Sequence, residues 1–353
     1  MIDQFTSHYL ISQLTENSQV TARQLHLISQ GRRTASVLFN IEKNRLFSIY
    51  SLFQHWTSND WNKVVQFFEQ NNWISLDGEI IRLTEKGLSI KEAFKEEHPY
   101  LVPINSLKYA KTREDMWVRF IFINQIVSEY RYNNAHYNPY VKKIVEQQQT
   151  KKWLKKQGPS LDVLSDKWIK EVFTFLNTLS DQHASICTDL LVGHKQTGLT
   201  KRQVMEKYKL SDTHLSILLM HMMEELRRFS KENSPLLWDL FLTVHKETDF
   251  GLSNSTYQTF KMLEDGKTIL QVGRMRKLKE STIKDHIIEI VLVIKWQGYK
   301  RFIPPRDYQA IHEMFDARPD LLYSEARSVR EDLEFFWFRL IEIERMRRHD
   351  SCD

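Results

Sequence analysis

The sequence predicts a mainly α-helical, multi-domain protein, with a winged-helix-like unit holding a small β-hairpin at the N-terminus and one or two helix-turn-helix units toward the C-terminus. Three observations carry this. Only 10 Gly and 8 Pro occur in 353 residues, below the roughly 7% and 5% of average proteins, and these are the residues that break helices. Apolar residues recur at steps of three and four behind Thr and Ser caps, the pattern of amphipathic helices. A chain of this length, 41% hydrophobic, can also bury more than one core.

Residues 1–98 read as the winged-helix-like domain. Its first helices fall around Gly31-Arg32-Arg33-Thr34, in residues 25–53. Trp61, Val64, Val65 and Phe68 then stand at i, i+3, i+4 and i+7 behind caps offered by residues 57–60, which predicts a helix. The runs 73–76 and 79–83 flank Asp77-Gly78, a preferred hairpin turn between apolar segments.

Residues 99–195 read as a helical middle region in which aromatics alternate with charges, as in Tyr130-Arg131-Tyr132 and Lys151-Lys152-Trp153-Leu154-Lys155-Lys156. Such interleaving can hold single strands by charge and base stacking, although a buried helix over 116–130 and a solvated helix end account for the same residues. Residues 196–252 read as a possible degenerate helix-turn-helix. Thr200, Gln203, Val204, Lys209, Leu210 and Leu215 superpose on Thr268, Gln271, Val272, Lys277, Leu278 and Ile283 at a constant offset of 68, a faint internal repeat. Ile217, Leu218, Leu219, Met220, Met222 and Met223 make the second helix of this copy too apolar for a face wetted by DNA, so it suits packing or partner binding.

Residues 253–318 carry the clearest unit. Thr268 and Gln271 stand at capping-box spacing. Ile269, Val272 and Gly273 share a face, and Gly273 has no side chain to hold off a second helix. Leu278 plugs the turn, Ser281 or Thr282 can cap the next helix, and Ile283, Ile287 and Ile290 give its apolar stripe. The opposite face, with Thr282, Lys284, Asp285, His286 and Glu289, is the one a helix-turn-helix lays in the major groove. In this reading Arg274, Arg276, Lys277, Lys279 and Lys284 neutralise phosphates, Ser281 and Thr282 bond phosphate at the helix N-terminus, and His286 faces the groove. Asp285 and Glu289 oppose phosphate unless they accept from a cytosine amino group. Residues 319–353 close the chain with one long helix over 324–348, where Val329, Leu333, Phe336, Leu340 and Ile343 alternate by four and three. Phe335, Trp337 and Phe338 widen that surface, so the helix is expected to dock on the body of the protein or else to meet another chain, with intramolecular docking favoured.

The sequence offers no catalytic, cofactor-binding or metal-binding residues. Gly266-Lys267-Thr268 ends like a phosphate-binding loop, yet Lys261 stands where the first glycine belongs. His183, Cys187 and His194 lack a fourth ligand of suitable spacing, and no hydrolase or nucleotide-binding signature occurs. Cys187 and Cys352 cannot build a disulfide framework, and the N-terminus lacks a signal-peptide pattern. The expected location is therefore the cytoplasm. The apolar run 116–127 is too short to cross a bilayer and is interrupted by Arg119 and Asn124. Neither a membrane nor a small-molecule substrate is expected. A net charge of +5 permits nucleic-acid partners without demanding them.

Thr268-Ile269, Val272-Gly273, Arg276-Lys277-Leu278, Ser281-Thr282-Ile283 and Asp285-His286, with Ser255-Thr256-Tyr257 and Phe260 ahead of them, closely resemble the helix-turn-helix domain at the C-terminus of RecQ-type DNA helicases. The match covers residues 253–315. Ala is the commonest family residue at position 273, so Gly273 is a departure that loosens its helix by about 1 kcal/mol. Response-regulator output domains share the element at 282–286 but carry an apolar residue where this chain has Arg276. The whole chain resembles the YpbB-like family, stand-alone proteins with this domain that are encoded beside a RecQ-type helicase short of such a tail. The resemblance implies a non-enzymatic, nucleoid-associated accessory protein that binds duplex or forked DNA and acts with a RecQ-type helicase in DNA repair or recombination. Two other readings remain open on the residues: a sequence-specific helix-turn-helix transcription regulator, and an interaction scaffold without DNA binding.

Overall fold

A computed structural model describes residues 2–350; Cys352 lies outside the described residues. In chain order the first helices are α1 (Gln4–Gln13), α2 (Ala22–Ser29), α3 (Ala35–Asn44) and α4 (Ser58–Gln70), followed by strands β1 (Ile74–Asp77) and β2 (Ile80–Leu83). Next come α5 (Glu85–Glu97), α6 (Ser106–Arg131), α7 (Ile144–Lys156), α8 (Leu161–Leu176), α9 (Asp181–Asp189), α10 (Lys201–Tyr208), α11 (Asp212–Asn233) and α12 (Pro235–Glu247). The last are α13 (Asn254–Glu264), α14 (Ile269–Arg276), α15 (Glu280–Ile294), α16 (Pro305–Ala317), α17 (Tyr323–Val329) and α18 (Phe335–Asp350). Helices dominate, as the scarcity of Gly and Pro requires. The helix starts follow side-chain chemistry: Thr21, Thr57, Thr200 and Thr268 each close a reciprocal capping box, satisfying amides that have no partner inside the helix.

Contacts divide the chain into two compact units that do not follow the five consecutive segments suggested by the sequence. One unit joins residues 13–83 and 106–108 to residues 251–353, and the other joins 1–12, 84–105 and 109–250.

In the first of these units, α2 packs on α3 and α4, α4 packs on β1, and Trp61 donates from Nε1 to Ser29 Oγ at 2.9 Å. The hairpin pairs Ile74 with Leu83 and Asp77 with Ile80. Its two-residue loop is therefore Gly78-Glu79, one position beyond the Asp77-Gly78 turn the sequence suggests, with Gly78 at φ +61° supplying the left-handed residue. Val20 adds an antiparallel bridge to Ile81, completing the winged-helix-like arrangement. The same unit contains α13–α18. Helix α15 is apolar nearly all round, with Ile283, Ile287, Ile288, Ile290, Val291, Leu292 and Val293 buried, as expected of a helix enclosed by others. It packs against α3, α13, α14 and α18.

The predicted helix over 324–348 is two helices, α17 and α18. Residues 330–334 separate them: Arg330 is held by Asp307 and Asp332, and Tyr323 donates to the Leu333 carbonyl oxygen at 2.8 Å. The seam expected on one helix is consequently broken, and Val329 is 83% exposed. Helix α18 docks on α15 and α16, in line with the expected intramolecular docking.

The second unit is built around α6, α8, α11 and α12. Met116, Phe120, Ile123 and Val127 of α6 join Trp153, Trp168, Val172, Phe175, Leu218, Met222 and Leu240 in one core. The apolar run of α6 is thus core, and among the described residues no helix is long and apolar enough to cross a membrane.

Candidate nucleic-acid interface

Helices α13, α14 and α15 form a helix-turn-helix with a leading helix. Thr268 caps α14 and Gln271 reaches back to the Thr268 amide at 2.8 Å. Lys277 ends the helix in the left-handed conformation (φ 54°, ψ 42°), and the Leu278 amide donates to the Gly273 carbonyl oxygen at 2.9 Å. A Cβ on residue 273 would stand 3.1 Å from the Leu278 oxygen and 4.0 Å from Ile283, so glycine here lets the turn fold back onto α14. Gly266, at φ +81°, stops α13 while the Lys267 amide bonds the Met262 carbonyl oxygen, a helix-terminating role and no phosphate nest.

The eight residues proposed to contact DNA divide by environment. Arg274, Lys277, Lys279 and Ser281 are exposed, Thr282 is half-buried, and among the described residues none of these five side chains is engaged in an ion pair or hydrogen bond. The other three are committed to intramolecular contacts. Arg276 turns back onto α13, donating to the Ser255 carbonyl oxygen at 2.7 Å, to Ser255 Oγ at 3.0 Å and to Thr259 Oγ1; burial lowers its pKa. Lys284 is bridged by Glu280 at 2.6 Å and by Glu334. Burial opposes its charge, and the two carboxylates outweigh it and raise the pKa. His286 points inward, with Nδ1 2.8 Å from Thr259 Oγ1. Burial, then the Arg276 charge, lowers its pKa, which leaves a neutral ring between helices and not a cation in the groove.

Glu289 also leaves the expected outer face. It is 4% exposed and accepts from Arg33 Nε at 3.0 Å and Nη2 at 2.7 Å, from the Ser253 amide at 2.9 Å and from Thr256 Oγ1 at 2.7 Å. Burial works against the Arg33 charge, but the Glu289 carboxylate prevails and raises its pKa. Glu289 ties α13 and α15 to the winged-helix-like part of the same unit. A signal for this was in view: a lone carboxylate inside the apolar run 287–294 must be buried with partners. Asp285 stays exposed, and partial desolvation raises its pKa.

Helix α15 starts at Glu280 with Lys279 as N-cap, not at Ser281 or Thr282, and no side chain caps it. The amides of its first turn lack intrahelical partners, and the helix dipole there favours an anion. Exposed Lys279 is the cap itself, exposed Lys277 closes α14 and exposed Arg274 stands in its last turn. The unpaired cations run from the last turn of α14 to the N-cap of α15, and one turn later the carboxylates of Glu280 and Glu334 have taken Lys284.

The backbone of residues 200–215 repeats that of 268–283. Thr200 closes the same capping box, Lys209 has φ 55° and ψ 42°, and the Leu210 amide bonds the Met205 carbonyl oxygen at 3.0 Å. Val204 and Val272 are both fully buried. The outer faces differ. Ser211 caps α11 by accepting from the His214 amide, and His214 stacks on Phe5 at 3.5 Å between centroids and meets the Tyr100 hydroxyl. Ile217, at the position of Asp285, is fully buried. This copy presents no open reading face.

Elsewhere, Cys187 is buried in the core, His183 meets Tyr100, and His194 pairs with Glu129; among the described residues no group of His, Cys, Asp and Glu is placed to hold a metal ion.

Residues 255–341 match a family described as a helix-turn-helix domain, which spans α13 through the first part of α18. The chain is 24% identical over 283 residues to Protein YpbB of Bacillus subtilis (strain 168), covering 78% of each chain. No solved structure matches it. The C-terminal part of this chain thus carries a helix-turn-helix domain, which points to DNA binding, on a chain that is similar to YpbB along most of its length.

Proposed function

We propose that the protein is a non-enzymatic DNA-binding accessory factor that grips the phosphate backbone of duplex or forked DNA and acts with a RecQ-type helicase in DNA repair or recombination, in the nucleoid of the cytoplasm. The observation that carries the reading is the uncapped N-terminus of α15, flanked by the exposed and unpaired Arg274, Lys277 and Lys279. Ser281 and Thr282 stand in that first turn, where their hydroxyls and amides can donate to one phosphate. Arg276, Lys284 and His286 position this surface from behind. The helicase partner is supported by the resemblance of residues 253–315 to the C-terminal domain of such enzymes.

Electrophoretic mobility on duplex and forked DNA, followed by unwinding assays with a RecQ-type helicase in the presence and absence of this chain, tests the reading. Retarded DNA and faster or more processive unwinding are expected. Selection from random duplexes should return no common motif. A single spaced motif would establish a transcription regulator, and unretarded DNA would leave a scaffold.

A further inference from the structure

The unit formed around α6 carries an exposed aromatic platform beside a cleft that the helix-turn-helix does not use. Tyr132, just past the end of α6, is 67% exposed and stacks on His194, with ring centroids 4.5 Å apart and planes 18° from parallel. His194 is immobilised from three sides. Its Nδ1 lies 2.8 Å from the carboxylate of buried Glu129, its amide donates to Ser128 Oγ at 2.9 Å, and it sits in a tight turn closed by reciprocal Gly193–Gln196 backbone bonds of 2.9 and 3.0 Å. A Cβ at residue 193 would approach Ser128 Oγ to 2.7 Å, so glycine is needed to bring the turn against α6. A ring this exposed is ordinarily mobile; here a buried carboxylate and a clamped turn hold its partner in place.

Tyr132 itself lines a cleft of about 580 Å³ whose polar groups include the amides of Asn124 and Gln196 and the hydroxyls of Thr188 and Thr197, able to bond the edge of a base. Lys195 is exposed at the tip of the turn, φ +57°. The carboxylates at the rim are already matched: Asp189 accepts from Lys207 at 2.6 Å and from the Tyr208 hydroxyl at 2.7 Å, and Asp166 pairs with Arg131.

We infer that Tyr132 on His194 is a stacking platform for a base of single-stranded DNA, whose edge enters the neighbouring cleft and whose backbone passes Lys195. Stacking on an aromatic face is tolerant of sequence and strong enough to matter for each base, and a platform rigid before binding loses little freedom on binding. The choice of ligand rests on the DNA-binding reading above; the site does not share residues with it.

Fluorescence anisotropy of labelled oligo-dT and of a labelled duplex with the full chain tests both readings separately. Tyr132→Ala should weaken oligo-dT binding roughly 5- to 100-fold, Tyr132→Phe should retain it, and neither should alter duplex affinity. Duplex binding with no oligo-dT binding, or oligo-dT affinity unchanged by Tyr132→Ala or lost equally in Tyr132→Phe, overturns this inference alone. Binding of neither DNA overturns both readings. Displacement of oligo-dT by thymidine monophosphate at equal base concentration would mark a free-nucleotide site and overturn the assignment to a strand.

Discussion

Replacing Arg274, Lys277 and Lys279 together separates a phosphate grip from every other use of this helix pair. Gln suits Arg274 and Lys279, and Asn suits Lys277, whose φ of 54° is the left-handed conformation that Asn tolerates. Each cation that neutralises a phosphate contributes about 0.9 to the slope of log affinity against log salt. Three contacts therefore account for a slope of roughly 2.7, and a fourfold rise from 50 to 200 mM salt costs about 40-fold in affinity through these residues alone. Anisotropy titrations of a labelled duplex across that range should show the slope of the triple variant flattened by about that amount, with single variants flattening it by about 0.9 each. A second triple, at Arg276, Lys284 and His286, is the control. Those side chains are held by Ser255 and Thr259, by Glu280 and Glu334, and by Thr259, so their loss should lower stability while leaving the salt slope of the folded fraction unchanged. An unaltered slope in the first triple, or an equal flattening in the second, refutes the assignment of the grip to the turn.

Glu289→Ala should cost roughly 2–4 kcal/mol in urea unfolding, because it takes the carboxylate from the half-buried Arg33 guanidinium, which keeps Tyr50 and the Gly251 carbonyl oxygen, and frees the Ser253 amide and Thr256 hydroxyl; Arg33→Met with Glu289→Met should recover part of that loss. Glu344 gives a pH dependence of defined sign. Burial opposes its ionisation, but hydrogen bonds from Tyr299 at 2.6 Å, Arg348 and Tyr308 prevail and bring its pKa from 4.5 to about 2. Its contribution is fully present above pH 4.5 and is lost as pH falls through about 2, so acid unfolding of Glu344→Gln should lack that component. Lys279→Ser supplies the cap that α15 lacks and should add about 1 kcal/mol to stability in thermal melts while weakening duplex binding more than Lys279→Gln does, since besides the lost cation the new hydroxyl occupies an amide otherwise open to phosphate.

What could be read from the sequence was local. The capping box of Thr268 and Gln271, the close crossing at Gly273, the plug at Leu278 and the stripe of Ile283 and Ile287 all depend on residues within a few positions of one another, and each stands where its spacing places it. The repeat 68 residues upstream was legible for the same reason. The failures are non-local. Glu289 finds its partner at Arg33, Lys284 finds Glu334, and the C-terminal helix breaks where Arg330 reaches Asp307. The Glu280–Lys284 pair, four residues apart on one helix, was within reach of the spacing, but no periodicity within a helix encodes a partner tens or hundreds of residues away, so the other charges could be placed on a face and not assigned to a neighbour. The hairpin erred by a single position, because two-residue loops are set by strand register as much as by the Asp-Gly pair.

The two copies of one backbone motif differ in what their outer surfaces leave open to a phosphate. Both have the Thr capping box, the left-handed Lys and the bond from the turn leucine back to the first helix, so the backbone alone does not decide. In the upstream copy, Ser211 satisfies the start of α11, His214 is stacked beneath Phe5, and Ile217 is buried where the other copy has an exposed Asp285. In the downstream copy a lysine stands at the cap and its side chain caps nothing, and among the described residues the cations Arg274, Lys277 and Lys279 have no intramolecular carboxylate. Leaving a helix end unsatisfied costs about 1 kcal/mol relative to a serine cap, and an uncapped, cation-flanked end is stable in water but tighter still with a phosphate. The downstream pair thus gives up stability that the upstream pair keeps, and it does so only in the turn and first helical turn, which is where a phosphate would sit.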